Sequence, residues 1–97
     1  MRLELGQIVV KDDEALRVAE ALTSTTLRIL RLLSQERLDV STIALRLDLS
    51  EAYISEQIKL LEELKLINVS YERGKRGIRK ICGTAVEKIT LVIKPEA

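Results

Sequence analysis

Residues 41–67 decide the fold, and they read STIALRLDLSEAYISEQIKLLEELKLI. Two short amphipathic helices are predicted in this stretch, one over about Ser41–Leu47 and one that is capped by Ser50 and ends near Leu64. Because the link between them is very short, the two helices must pack closely and at a steep angle. The spacing therefore predicts a helix-turn-helix.

The sizes of the side chains in the two helices fit this packing. Ala44 in the first helix is small enough to admit a close neighbour, and Ile54 in the second helix fills the gap. Ile54, Ile58 and Leu61 recur at helical spacing, which places them on the buried side together with Leu64. The opposite side of the second helix is then free to enter the major groove of DNA, which is wide enough for one helix.

The exposed side of the second helix carries side chains of the kind that read DNA. Gln57 can pair with adenine, a glutamate can accept from the amino group of cytosine, and Lys59 can reach a phosphate. Tyr53 either contacts DNA or packs against the turn, and Glu51 and Glu56 are first interpreted as solvated or paired with Lys or Arg. The candidate reading residues are Ser50, Glu51, Ala52, Tyr53, Ser55, Glu56, Gln57 and Lys59.

A basic hairpin follows the second helix. Alternation over Ile67–Tyr71 predicts a strand, Gly74 and Gly77 bracket a turn, and residues 78–82 form the return strand. Residues 73–80 carry five basic side chains and no acidic ones. Such a run is usually a solvated turn, but next to a reading helix we interpret it as a wing on the DNA backbone or in the minor groove. The candidate wing contacts are Arg73, Lys75, Arg76, Arg79 and Lys80.

The rest of the chain supplies two more helices and the outer strands. The predicted elements are a strand over residues 3–10 that contains Leu3 and Leu5, a helix from Asp12 to near Leu22, a helix capped by Thr23 or Ser24 that ends near Ser34, and a strand over residues 87–94. The apolar stripes of these helices are Ala15, Leu16, Ala19 and Leu22 in the first, and Leu27, Ile29, Leu30 and Leu33 in the second. The predicted class is α+β, mostly α. It is one winged helix-turn-helix domain over residues 1–97, with an N-terminal strand, four helices, a β-hairpin wing and a C-terminal strand.

Composition excludes several classes of function. The chain is 46% hydrophobic, but Tyr53 and Tyr71 are its only aromatic residues, which argues against a base-stacking platform. There is no nucleophile–base pair and no phosphate-binding glycine loop, so we do not expect an enzyme. With no His and a single Cys, Cys82, the chain has neither an internal disulfide nor a four-ligand zinc site. We expect no metal and no cofactor, and we interpret Cys82 as a small buried hydrophobe rather than a redox sensor.

The sequence also bounds the location and the partners. No apolar run is long enough to span a membrane, and Glu4, Asp12 and Asp13 interrupt any signal-peptide core, so a cytoplasmic location is expected. The net charge of +1 lacks the excess of a strongly basic nucleic-acid binder, so the local concentration of charge in the wing carries the argument. A domain of this length buries a modest fraction of its surface, which favours a dimer.

From Ala15 to about Ile81 the chain resembles the ArsR-like winged-helix family of bacterial and archaeal regulators. The residues that carry the resemblance are Ser50-Glu-Ala-Tyr-Ile-Ser55, Ile58-Lys-Leu-Leu-Glu-Glu63, Leu66-Ile67 and a Tyr71–Gly77 hairpin similar to the wing of archaeal members. The chain departs from the pattern at Asp48 and Lys65, where glycine is common. Family members often sense metals through Cys and His, and that activity is not transferred to a chain without them.

Two functions follow as hypotheses. The first is a homodimeric transcriptional regulator that binds specific double-stranded DNA sites, with its recognition helices in successive major grooves and its effector unknown. The first strand, the first helix and the last strand are the dimerisation candidates, and the two outer strands pair either with each other or across the dimer. The alternative is a winged-helix module that binds proteins within a larger assembly, without direct DNA binding, which the acidic reading face favours.

Overall fold

The computed structural model describes residues 2–4 and 6–95. In this part of the chain, four helices and six strands follow one another in the order β-β-α-α-β-α-α-β-β-β. Their bounds are β1 Arg2–Glu4, β2 Gln7–Val10, α1 Asp12–Ala21, α2 Ser24–Leu33, β3 Leu38–Asp39, α3 Val40–Leu47, α4 Glu51–Glu63, β4 Ile67–Gly74, β5 Gly77–Thr84 and β6 Lys88–Leu91. The predicted fold class, an α+β winged helix-turn-helix, is confirmed.

The strands form two sheets of three. In one, with the order β1-β2-β6, strand β2 runs antiparallel to β1 and parallel to β6, so that Ile8 lies opposite Ile89. The other has the order β3-β5-β4 and is antiparallel throughout. The outer strands therefore pair with each other within the chain, which is one of the two arrangements that the sequence left open.

Two strand predictions need correction. The strand predicted over residues 3–10 is divided into β1 and β2, which pair with each other. Gly6 lies between them with φ +70, a left-handed conformation that glycine adopts without a steric penalty. Leu5, part of the predicted strand, lies outside the described residues. Strand β3 was not predicted, because two residues are too few to show a period.

The beginning of α2 is set by capping hydrogen bonds. Of the two cap candidates for α2, Thr23 is the N-cap, since its Oγ1 accepts a hydrogen bond from the Thr26 backbone N–H at 3.2 Å. The Thr26 Oγ1 in turn accepts from the Thr23 backbone N–H at 2.8 Å and donates to the Ala21 carbonyl at 2.6 Å. This reciprocal pair fixes the corner between α1 and α2.

One aliphatic core receives side chains from all four helices and from both sheets. Its fully buried members include Ile8, Ile29, Ile43, Ile54, Ile58, Leu61 and Leu66. Cys82 is also fully buried, opposite Leu38 of β3 and Val69 of β4, and burial raises the pKa of its thiol. The environment of Cys82 is thus that of a small buried hydrophobe.

The apolar stripe predicted for α1 is correct only in part, since Ala15 and Leu22 pack against the core but Leu16 and Ala19 do not. Val18 and Ala21 are the buried residues of this helix, whereas Leu16 is 63% exposed and Ala19 is also exposed. Both stripes have helical spacing, so the period alone does not decide which one faces the core. Leu16 instead lines an open apolar groove together with Leu91, Val92, Ile93 and Pro95.

Candidate DNA-binding surface

The turn of the helix-turn-helix is closed by backbone hydrogen bonds. Asp48, directly after α3, is left-handed with φ 55 and ψ 49. The Leu49 N–H donates to the Ala44 carbonyl at 3.0 Å, and the Asp48 N–H donates to the Leu45 carbonyl at 3.3 Å. This is the Schellman arrangement, which usually places glycine at the left-handed position. Asp is one of the few side chains that enter this region readily, so the departure from glycine is accommodated.

Helix α4 has a defined beginning and end. The Ser50 Oγ accepts a hydrogen bond from the Tyr53 backbone N–H at 3.1 Å, so Ser50 is the predicted N-cap. At the other end Lys65 is left-handed with φ 62, and the Leu66 N–H donates to the Leu61 carbonyl at 2.9 Å. Lys65, like Asp48, thus stands at a left-handed position after the end of a helix, where glycine is common.

The packing of α3 against α4 is the one that the sequence predicts. Ala44 is 3% exposed and Ile54 is fully buried. Ile58 and Leu61 are also fully buried and follow Ile54 at spacings of four and three. Because the buried residues occupy one side of α4, the opposite side faces away from the core.

Nearly all the predicted reading residues lie on the exposed part of α4 or at its cap. Gln57 is half-buried, and Tyr53 is exposed over 39% of its surface. The remaining candidates are exposed: Ser50, Glu51, Ala52, Ser55, Glu56 and Lys59. The structure thus brings the eight candidates together on one helix, and their contact with DNA stays a prediction.

Two of the acidic side chains of α4 have partners. The Ser41 hydroxyl of α3 donates a hydrogen bond to the Glu51 carboxylate. The Lys80 ammonium of β5 lies 3.6 Å from the Glu62 carboxylate. Glu51 therefore ties α4 to α3, and Glu62 ties α4 to the hairpin. Glu51 is thus paired, but with a serine and not with the Lys or Arg that the sequence analysis expected.

The hairpin of β4 and β5 forms the wing. Its strands pair in register from Ile67 opposite Thr84 to Gly74 opposite Gly77, so Lys75 and Arg76 occupy the tip. Arg73, Lys75 and Arg76 are exposed, and none of them forms an ion pair within the described residues. We call these three residues the wing-tip cations.

The other two predicted wing residues lie nearer the body of the protein and are paired. Arg79 donates to the Asp39 Oδ2 through Nε at 3.1 Å and through a terminal nitrogen at 2.5 Å. Lys80 pairs with Glu62, as described above. Both cations act in the structure as links between β5 and the helix-turn-helix. Whether they also contact DNA stays a prediction.

Asp39 is the functional residue that the sequence reasoning missed. Its Oδ1 accepts a hydrogen bond from the Thr42 backbone N–H at 2.8 Å, which makes Asp39 the N-cap of α3. Hydrogen bonds from Thr42 and Arg79 lower the pKa of the Asp39 carboxyl to about 2. The capping role could have been predicted, because Asp is a preferred N-cap residue and Asp39 stands directly before the helix. The pairing with Arg79 could not, because the two residues are 40 positions apart in the chain.

Residues 23–69 match a family model described as "Bacterial regulatory protein, arsR family". The match extends from the N-cap of α2 through the helix-turn-helix into β4. The fold and the packing of α3 on α4 agree with this match. The chain is a winged helix-turn-helix protein that is similar to the arsR family over these residues.

Several solved structures are similar to the chain over about two thirds to three quarters of its length. The homodimeric winged helix-turn-helix DNA-binding domain of a possible ArsR-family transcriptional regulator from Mycobacterium bovis is 29% identical, with a TM-score of 0.66, over 77% of this chain and 67% of that one. ZitR from Lactococcus lactis is 31% identical, with a TM-score of 0.58, over 66% of this chain and 43% of that one. HlyU from Vibrio cholerae, in its reduced form, is 21% identical, with a TM-score of 0.64, over 76% and 75%, and shows the fold alone. No curated protein matches the chain.

The matching family model is that of a bacterial regulatory protein, and the similar Mycobacterium bovis domain is described as a DNA-binding domain. Over the residues that the structure describes, no group of three or more Asp, Glu or Cys side chains is arranged to hold a metal ion. In the same residues, no helix is both apolar and long enough to cross a membrane.

Proposed function

We propose that this protein regulates transcription in the cytoplasm by binding specific double-stranded DNA sites as a homodimer. The observation that carries the proposal is the wing tip, whose cations Arg73, Lys75 and Arg76 are exposed and unpaired among the described residues. In the chain they follow α4. One side of this helix is buried in the core, and its other side is exposed. In this arrangement α4 enters the major groove, while the wing follows the backbone or enters the minor groove. We treat residues 1–97 as one domain.

The wing-tip prediction is tested with a Lys75→Ala, Arg76→Ala double variant. We expect it to bind mixed duplex DNA roughly 10- to 100-fold more weakly than wild type near 0.1 M salt. The plot of log affinity against log salt becomes shallower by about 2 to 4, because one or two phosphate contacts are lost in each protomer. Fluorescence anisotropy over a salt series measures both quantities.

The matched control is Arg28→Ala, Arg31→Ala on α2, where two exposed cations are removed outside the helix-turn-helix. This variant has the same net charge as the wing variant and keeps the wild-type salt slope. Equal slopes for the wing variant and wild type would contradict a wing on DNA. A folded dimer that retains no duplex at low salt would favour the alternative, a winged-helix module that binds proteins.

The dimer is proposed to form through α1 and the segment that begins with β6. Leu16 is 63% exposed and Ile93 is 93% exposed, and both line an apolar groove of about 460 Å³ with Leu91 and Val92. Covering these exposed aliphatic side chains with a second protein surface removes apolar area from water, which stabilises the complex. In a two-fold dimer the same patch faces its copy, so every contact occurs twice.

Substituting Leu16→Lys tests this face. We expect the dimer dissociation constant to rise on the order of 100-fold, because about 1.5 kcal/mol of apolar burial is lost at each of two equivalent positions. Sedimentation equilibrium at micromolar concentration measures the change. Leu45→Lys on α3 is the control, since Leu45 is 81% exposed and lies outside the groove. A wild-type protein that is strictly monomeric at these concentrations contradicts the homodimer.

A further inference from the structure

Glu56 lies at the centre of the exposed side of α4. It is two residues from Ile54 and two from Ile58, both fully buried. At 3.6 residues per turn this spacing turns Glu56 by about 160–200° from each of them. Of all the side chains in the first two turns, that of Glu56 points most directly away from the core.

The carboxylate of Glu56 has no partner among the described residues. Neither an ion pair nor a hydrogen bond involves it, although Lys59 stands only three residues further along the helix. Glu51, the other acidic residue in this half of α4, is held by Ser41. The reading half of the helix thus presents one carboxylate without an intramolecular neutralising contact.

In a major groove, that carboxylate has few favourable positions. Phosphates repel it, and so do the acceptor atoms of guanine and the O4 of thymine. Cytosine offers its N4 amino group as a donor, whereas adenine places an acceptor, N7, next to its donor. An ionised Glu accepts hydrogen bonds and cannot donate one, so cytosine is the base edge that it fits best.

We propose that Glu56 is a specificity-determining residue that requires a cytosine at one position in each half-site. This inference rests on the proposed DNA-binding function and deepens it. The carboxylate lowers the affinity for most duplexes. It thereby increases the difference in affinity between sites with cytosine at that position and sites without it. Sites with guanine or thymine at that position are rejected by repulsion as well as by a missing hydrogen bond.

The test is selection from a randomised duplex pool with three proteins: wild type, Glu56→Gln and Glu63→Gln. Gln is isosteric with Glu and pairs with adenine. We expect Glu56→Gln to exchange cytosine for adenine at one position per half-site and to bind bulk duplex more tightly. Measured on defined sites, the preference for cytosine falls roughly 5- to 100-fold. Glu63→Gln removes the same charge from an exposed position at the end of α4 and keeps cytosine.

The outcomes separate the two proposals. A Glu56→Gln variant that selects the same bases as wild type overturns the role of Glu56 and leaves DNA binding intact. A folded wild-type dimer that selects no sequence overturns the proposed function, and the inference with it. Because Glu56 is exposed, the thermal midpoint of Glu56→Gln stays close to that of wild type, which excludes misfolding as the cause of a changed preference.

Discussion

The Ile54→Ala variant is expected to lose about 3–4 kcal/mol of unfolding free energy. Ile54 is fully buried in α4, and truncating a buried isoleucine removes apolar burial and leaves a cavity, at a cost of roughly 2–5 kcal/mol. A domain of this size is stable by about 5–15 kcal/mol in all, so the variant loses a large part of its stability. Equilibrium unfolding in urea measures the loss directly.

Ile54→Val is the matched control, because it removes a single methylene and costs roughly 0.5–1.5 kcal/mol. The DNA affinity of the Ala variant falls only in proportion to its unfolded fraction if Ile54 acts through packing alone. A loss below about 1 kcal/mol for Ile54→Ala would show that the helices close around the gap and that Ile54 does not fill a rigid interface.

The helix-turn-helix was predictable because its determinants are local. Ser50 caps α4 and Ile54 begins a buried stripe at the expected spacing, so both the start and the orientation of the helix are encoded within a few residues. Asp48 marks the turn even without glycine, since its left-handed conformation is closed by hydrogen bonds to the preceding helix.

The face of α1 was not predictable in the same way. Leu16 and Val18 both belong to stripes of helical spacing, and the choice between them depends on which neighbours cover the helix. In the structure Val18 meets the core, and Leu16 stays outside. An apolar stripe at helical spacing looks the same in the sequence whether it packs in the core of the chain or against a partner. The sequence therefore does not show which of the two applies to Leu16.

The basic residues of the wing fall into a paired and an unpaired group among the described residues, and the order of the sequence does not show this division. Residues 73–80 read as one basic run, yet Arg79 pairs with Asp39 across 40 positions of the chain. The sheet creates that proximity, because β3 and β4 both pair with β5. Among the described residues, no acidic side chain pairs with the wing-tip cations. Register in the sheet therefore separates the cations that pair with the body of the protein from the wing-tip cations that we propose contact DNA.

Asp39→Ala is expected to lower the unfolding free energy by about 2 kcal/mol at pH 7. The change removes the cap of α3, a loss of about 1 kcal/mol, and the charged hydrogen bonds from Arg79 at 2.5 and 3.1 Å. Asp39→Asn is the matched variant, because Asn retains the capping acceptor and loses the charge. Its loss is about 1 kcal/mol at pH 7, reduced by the exposure of Arg79 to solvent.

The pH dependence of the wild type separates the effect of the Asp39 charge from that of a neutral capping oxygen. The folded-state pKa of Asp39 is lowered from 3.8 to about 2, so the unfolded state binds the proton first. The stabilisation by the charge is therefore complete above about pH 4 and disappears as the pH falls towards 2. Urea unfolding of wild type and Asp39→Asn, side by side, should give free energies that differ at pH 7 and converge near pH 2. A difference that stays constant with pH would mean that the charge of Asp39, through its hydrogen bonds with Thr42 and Arg79, does not stabilise the fold.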